Sequence, residues 1–194
     1  CRSGLETAPS RLDSPSGGYD GWSLQIRENI LCCYNSVIPL NDETELIATT
    51  LWGRIGLQDA LRTESVISDF RRIRWACEPL DWVRFNEEHD RCFRFLEQQV
   101  NRSTAKHIVV VTHHVPSFEL VAPEFKGSPL NGAFAVELGN YIAASPIEYW
   151  IYGHSHRNID KVIGNTRCVS NQLGYVFGNE HSSFNTSAYI EIID

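Results

Sequence analysis

The run HIVVVT, residues 107–112, constrains the fold more than any other stretch of the chain. A continuous β-branched and apolar segment without polar alternation belongs to a strand covered on both faces, as in sheets flanked by helices. EYWIY, residues 148–152, has the same character, and ELIATTLW, residues 45–52, reads as a third buried strand broken after by Gly53 and Gly56. Between the first and second of these in sequence lies FNEEHDRCFRFLEQQV, residues 85–100. There Phe85, Cys92, Phe93, Leu96 and Val100 share one helical face and charged residues cover the other. Strands alternating with helices define an α/β chain, with ligands expected in the loops beyond the strand ends.

The remaining elements follow from the same periodicities. Residues 22–33 are compatible with helix, and a second helix is expected at 131–144 on a core side of Leu130, Phe134, Leu138, Tyr141 and Ile142. DKVI and TRCVS flank a Gly164-Asn165 dipeptide and predict a hairpin over 160–170. The alternation in SAYIEII predicts a last strand at 187–193, and the Ser-, Gly- and Pro-rich residues 1–21 predict a linker ahead of one domain spanning 22–194.

Composition narrows the function. A net charge of −7 disfavours a broad basic surface for nucleic acid or anionic membrane, yet admits a phosphate substrate where metal ions supply local positive charge. No apolar run has the length of a bilayer span. The six cysteines show no C-x-x-C pair or framework spacing and read mostly as reduced and buried, which predicts a cytoplasmic protein.

Seven histidines are present, and four of them occupy two short loops directly after buried strands: His113 with His114, and His154 with His156. An extended H-x-H segment places both imidazoles on one side, and Gly153 permits a tight turn ahead of them. Neutral imidazole suits Zn, Fe, Mn or Co, ions that assist hydrolysis. His89 on a helix flank, His107 at a strand start and His181 in a loop read as structural. Gly153-His154-Ser155-His156-Arg157 lacks the second glycine of a nucleophile elbow, and no Walker-type glycine loop occurs.

Taken in order, TTLW, HIVVVTHHVPS, YWIYGHSHRNID and IGNTRCVSNQLGY resemble the second half of calcineurin-like metallophosphoesterases over about residues 40 to 190. The resemblance implies a β-sandwich flanked by helices. It also implies two divalent transition-metal ions (Mn, Fe or Zn) in a complete family member, acting on a phosphate-ester substrate. By motif position His113 and His154 would bind one ion and His156 the other; His114 would face the substrate or support a ligand. Asn171 and Tyr175 would support the pocket floor.

The family takes its remaining ligands from Asp-x-His, Gly-Asp-x-x-Asp and Gly-Asn-His motifs, and none of these occurs here. Three imidazoles without a bridging carboxylate cannot hold two close divalent ions, so one ion or none is expected from this chain alone. The sequence is therefore expected to represent the C-terminal half of such a domain, its exposed sheet edge covered by another polypeptide or a second copy. Two readings remain: a metal-dependent phosphoesterase, or a truncated or degenerate relative acting as a non-catalytic interaction module. A mononuclear histidine-site hydrolase is a third, lesser alternative.

Overall fold

The computed structural model describes residues 21–75 and 77–192; the N-terminal linker prediction, apart from its last residue, lies outside them. The chain begins with a hairpin of β1 (Trp22–Arg27) and β2 (Ile30–Tyr34), followed by β3 (Ser36–Pro39) and β4 (Thr44–Thr49). Helices α1 (Ala60–Val66) and α2 (Asp69–Arg72), the short strands β5 (Arg74–Trp75) and β6 (Glu78–Pro79), and the long α3 (Trp82–Arg102) come next. The last third holds β7 (His107–Thr112), α4 (Gly139–Ala144), β8 (Tyr149–Ile151), β9 (Asp160–Ile163) and β10 (Thr166–Val169).

Six strands form one sheet in the order β3-β4-β7-β8-β10-β9. The four central strands are parallel, and β3 and β9 pair antiparallel at the two edges. The α/β class is therefore as expected. β7 sits inside the sheet with His107 to Val110 and Thr112 all buried, which accounts for its unbroken apolar sequence. Helix α3 covers this sheet through Phe95, Leu96 and Val100, packed with Ile47, Ile108 and Val110; Trp150 and Ile142 complete the same core. Trp150 is fully buried, and its indole N–H donates to Thr112 Oγ1 at 3.0 Å, so the ring costs no unpaired donor. A satellite core of Ile55, Ala60, Phe70, Leu80 and Phe85 lies under the first helices.

Helix α3 begins three residues before the expected start because Asp81 caps it, accepting the Arg84 N–H at 2.7 Å. Residues 22–33 are not helical. Trp22, Leu24 and Ile26 alternate along β1, and Glu28-Asn29 turns the chain into β2 with Leu24 opposite Cys32. The period of two outweighs local helix propensity.

The helix expected at 131–144 survives only as α4 and a 3₁₀ turn at Asn131–Ala133. Backbone pairing explains the gap: Val115 N–H donates to the Phe134 carbonyl and Val136 N–H to the Val115 carbonyl. Glu137 then takes the N–H groups of Phe118 and Gly139, each at 2.8 Å. The 160–170 hairpin forms as read, turning at Gly164 with φ +61°. Residues 187–192 form no strand; the Tyr149 hydroxyl donates to the Glu191 carbonyl instead.

Cys92 and Cys168 are buried free thiols, whereas Cys32 is exposed and Cys33 half-buried. Four of the described cysteines are thus free, in keeping with a mostly reduced set, although Cys32 is exposed rather than buried; Cys77 is the exception and is disulfide-bonded. Among the described residues no helix is long and apolar enough to cross a membrane.

Candidate metal centre

Three parallel strands deliver the candidate residues. β4, β7 and β8 end side by side, with Thr49 opposite Thr112 and Val111 opposite Ile151. Their loops continue the ladder for one step: His114 N–H donates to the Thr50 carbonyl at 3.2 Å, and Gly153 N–H to the His113 carbonyl at 3.1 Å. His113 and His154 therefore meet as a consequence of strand register. His113 Nε2 lies 2.9 Å from His154 Nδ1. The rings of His113, His114 and His154 stand 4.4–5.2 Å apart, centre to centre.

The loop backbones are not extended. His154 and His156 both occupy the left-handed region, at φ +67° and +51°. The expectation that alternation along H-x-H aligns the two imidazoles is thus corrected: the chain curls at each histidine. Leu51 and Trp52, at the end of β4, are also left-handed, at φ +67° and +58°. Four non-glycine residues in this region cost of order 1–2 kcal/mol each, and such strain gathers where surrounding structure imposes it. His89, which reads as a helix-flank residue in the sequence, is part of that support. Buried in α3, its Nδ1 reaches the Leu51 carbonyl at 3.0 Å and the Trp52 carbonyl at 3.3 Å.

The four histidines differ in role. His114 is 3% exposed and stacks on Trp52, with Nδ1 3.4 Å from the Thr50 carbonyl and Nε2 without a partner among the described residues. It lies beneath His154, as the floor of the cluster. His154 is flanked by Phe134, ring centres 5.0 Å apart.

His156 Nδ1 lies 2.9 Å from Glu180 Oε2, and its ring edge meets Tyr175 at 4.6 Å. Asn171 pairs with the backbone of Asn185, accepting its N–H and donating to its carbonyl, so it ties down the C-terminal segment. His107 bonds Glu148 at 2.6 Å at the start of β7, at the opposite end of the strand from His113, whereas His181 sits in the 3₁₀ turn Glu180–Ser183 that packs on the His156 loop.

Protonation is suppressed at His113, His114 and His154. Burial, then the charges of His113 and His156, lowers His154 to about 4. His114 falls well below the usual imidazole value for the same reason, with His154 and His113 adding to it. His113 is lowered chiefly by loss of solvent around its ring; the Asp69 carboxylate opposes the shift. At neutral pH these rings are neutral and carry lone pairs.

Two nitrogens bound to one ion at about 2.0–2.1 Å stand about 2.9 Å apart at the right angle of six-coordinate geometry and about 3.3–3.4 Å apart at the tetrahedral angle usual for zinc. The His113–His154 separation matches the first, is short for the second, and equally suits one N–H···N hydrogen bond. The donor pair is compatible with a six-coordinate ion without requiring one. Among the described residues no group of three or more His, Cys, Asp or Glu side chains is arranged to hold one. Further ligands would have to come from water or from outside these residues.

Comparison with known proteins adds one similar viral protein. An uncharacterized protein of Acanthamoeba polyphaga mimivirus is 26% identical over 211 residues, covering 93% of this chain and 69% of that protein. No family model matches the chain.

Proposed function

We propose that this chain contributes half of the site of a metal-dependent phosphoesterase, hydrolysing a phosphomonoester or phosphodiester, in the manner of the calcineurin-like enzymes it resembles. The observation that carries the reading is the meeting of His113 Nε2 and His154 Nδ1 beyond the ends of β7 and β8. Both rings are held neutral, and both belong to segments that resemble the family's metal-binding motifs. In this reading the six-stranded sheet is one layer of the family's sandwich, and the edge at β3 faces the remainder of the domain.

His113 and His154 would hold one divalent ion, and His156 would present its outer nitrogen to a second. A bound divalent ion supplies Lewis acidity toward a phosphoryl oxygen and acidifies a water ligand. The chain's own residues do the rest. His114 and Phe134 pack against the His154 ring and fix it, Trp52 stacks on His114, and His113 stays exposed. Arg157, beside His156 in sequence, pairs with Glu124 at 2.9 Å and stays half exposed, within the same loop that would meet a phosphate.

The test is hydrolysis of p-nitrophenyl phosphate and bis(p-nitrophenyl) phosphate by the full protein with added Mn²⁺ or Zn²⁺. His154→Ala should lower kcat/KM by at least about 100-fold, the upper end for loss of metal-site support. Unchanged turnover in that variant sinks the assignment. The lack of a third convergent ligand among the described residues favours a second reading, the non-catalytic interaction module. Substoichiometric metal together with no ester hydrolysis at any added ion would select it.

A further inference from the structure

We propose that Glu180 is a positioning residue that holds His156 as its Nδ1–H tautomer and so makes Nε2 the bare nitrogen offered to the site. A carboxylate only accepts hydrogen bonds, so the 2.9 Å contact between Glu180 Oε2 and His156 Nδ1 fixes which ring nitrogen carries the proton. The same oxygen accepts the Tyr175 N–H at 2.5 Å, which anchors the carboxylate independently of the histidine.

The surrounding backbone is shaped for this contact. Gly174 has φ +62°, and a Cβ there would stand 2.8 Å from Glu180 Oε2, 2.6 Å from Glu180 Cβ and 3.3 Å from His156 Cβ. Only glycine leaves the gap through which Glu180 reaches the imidazole. Gln172 Oε1 accepts the His156 N–H at 2.9 Å, and Gln172 is in turn locked to Asn158 by two hydrogen bonds. Asn179, at φ +57°, turns the chain so that Glu180 faces back toward His156. Residues 172–180 thus clamp one imidazole at its backbone, its ring edge and its inner nitrogen.

A carboxylate behind a metal-binding histidine sets its tautomer and raises its basicity, and losing it typically costs about 10–100-fold in metal affinity or activity. That use of Nε2 rests on the phosphoesterase reading; the tautomer assignment does not. The first measurement is therefore long-range ¹H–¹⁵N NMR of the ¹⁵N-histidine-labelled, metal-free full protein at pH 7.5. His156 is expected as Nδ1–H in the native protein and in Glu180→Gln, whose amide oxygen still accepts. It is expected to move toward Nε2–H in Glu180→Ala.

Native amide dispersion in each variant controls for folding. An Nε2–H signal in the native protein, or no change in Glu180→Ala, overturns the proposal. The second measurement is Zn²⁺ affinity by calorimetry, expected to weaken about 10–100-fold in Glu180→Ala and to recover in part in Glu180→Gln. A tautomer change with unaltered Zn²⁺ affinity upholds the positioning and overturns His156 as a ligand.

Discussion

His154 shows how much of the site's character comes from its surroundings. An imidazole whose folded value is about 4 stays neutral beside His113 and His114 until the pH falls far below the usual imidazole range. His89, lowered by its burial in α3, and His114 behave alike. Each takes up a proton more readily unfolded than folded, so the contribution of each to stability is present above about pH 6.5 and fades as pH falls below it, for His154 down to about 4. For His154 the loss is of order 1.4 kcal/mol per pH unit across that window.

Urea midpoints of the metal-free protein should therefore drop steeply between pH 6.5 and 4.5, more steeply than one imidazole can explain. A flat profile there would contradict the neutral cluster. At this scale the sequence was informative about His113, His154 and His156, because two histidine pairs at strand ends are rare by chance. It was silent about Glu180, which lies 24 residues from His156 and reaches it only through a left-handed turn.

Elements divide by how far their partners were local. α3, β7, β8 and the β9–β10 hairpin were legible because each carries its own periodicity or turn residues. Residues 22–33 and 131–138 were not, since cross-chain pairing decides both: β1 with β2, and Val115 with the segment around Ala135. The hairpin turn supplies a direct check. A Cβ on Gly164 would lie 2.5 Å from Ala143 Cα and 2.8 Å from its carbonyl oxygen, in a left-handed turn. Gly164→Ala should destabilise by about 2–3 kcal/mol through overpacking and strain. Gly164→Asn should fare little better, because asparagine tolerates the dihedral but keeps the clash. Chemical denaturation reads both, and a neutral Asn variant would mean that the turn, not the contact with α4, requires glycine.

For the molecule as a whole, the sheet is well covered at its centre, and among the described residues its β3 side carries exposed apolar side chains. β3 is an edge strand, and the β1–β2 hairpin beside it exposes Trp22 (40%), Ile26 (53%) and Ile30 (45%). Contiguous apolar surface of this kind marks an interaction site or an association hazard. This chain on its own should sediment above the monomer at tens of micromolar, and a Leu24→Lys, Ile26→Lys double variant should shift it back toward the monomer. Monomeric sedimentation of the unaltered chain would show that the face needs no cover. The sequence raises a covering partner only as an expectation from missing motifs; these side chains are where that expectation can be tested.

The left-handed histidines carry one more consequence. Strand register sets His113 beside His154, and Gln172 and Glu180 hold His156. On the metal-site reading the histidine loops are therefore held before any ion arrives. The speed of ion capture would be governed by how quickly the ion sheds its own water, so fast-exchanging Mn²⁺ should load sooner than inert Ni²⁺ even where the final affinities favour Ni²⁺.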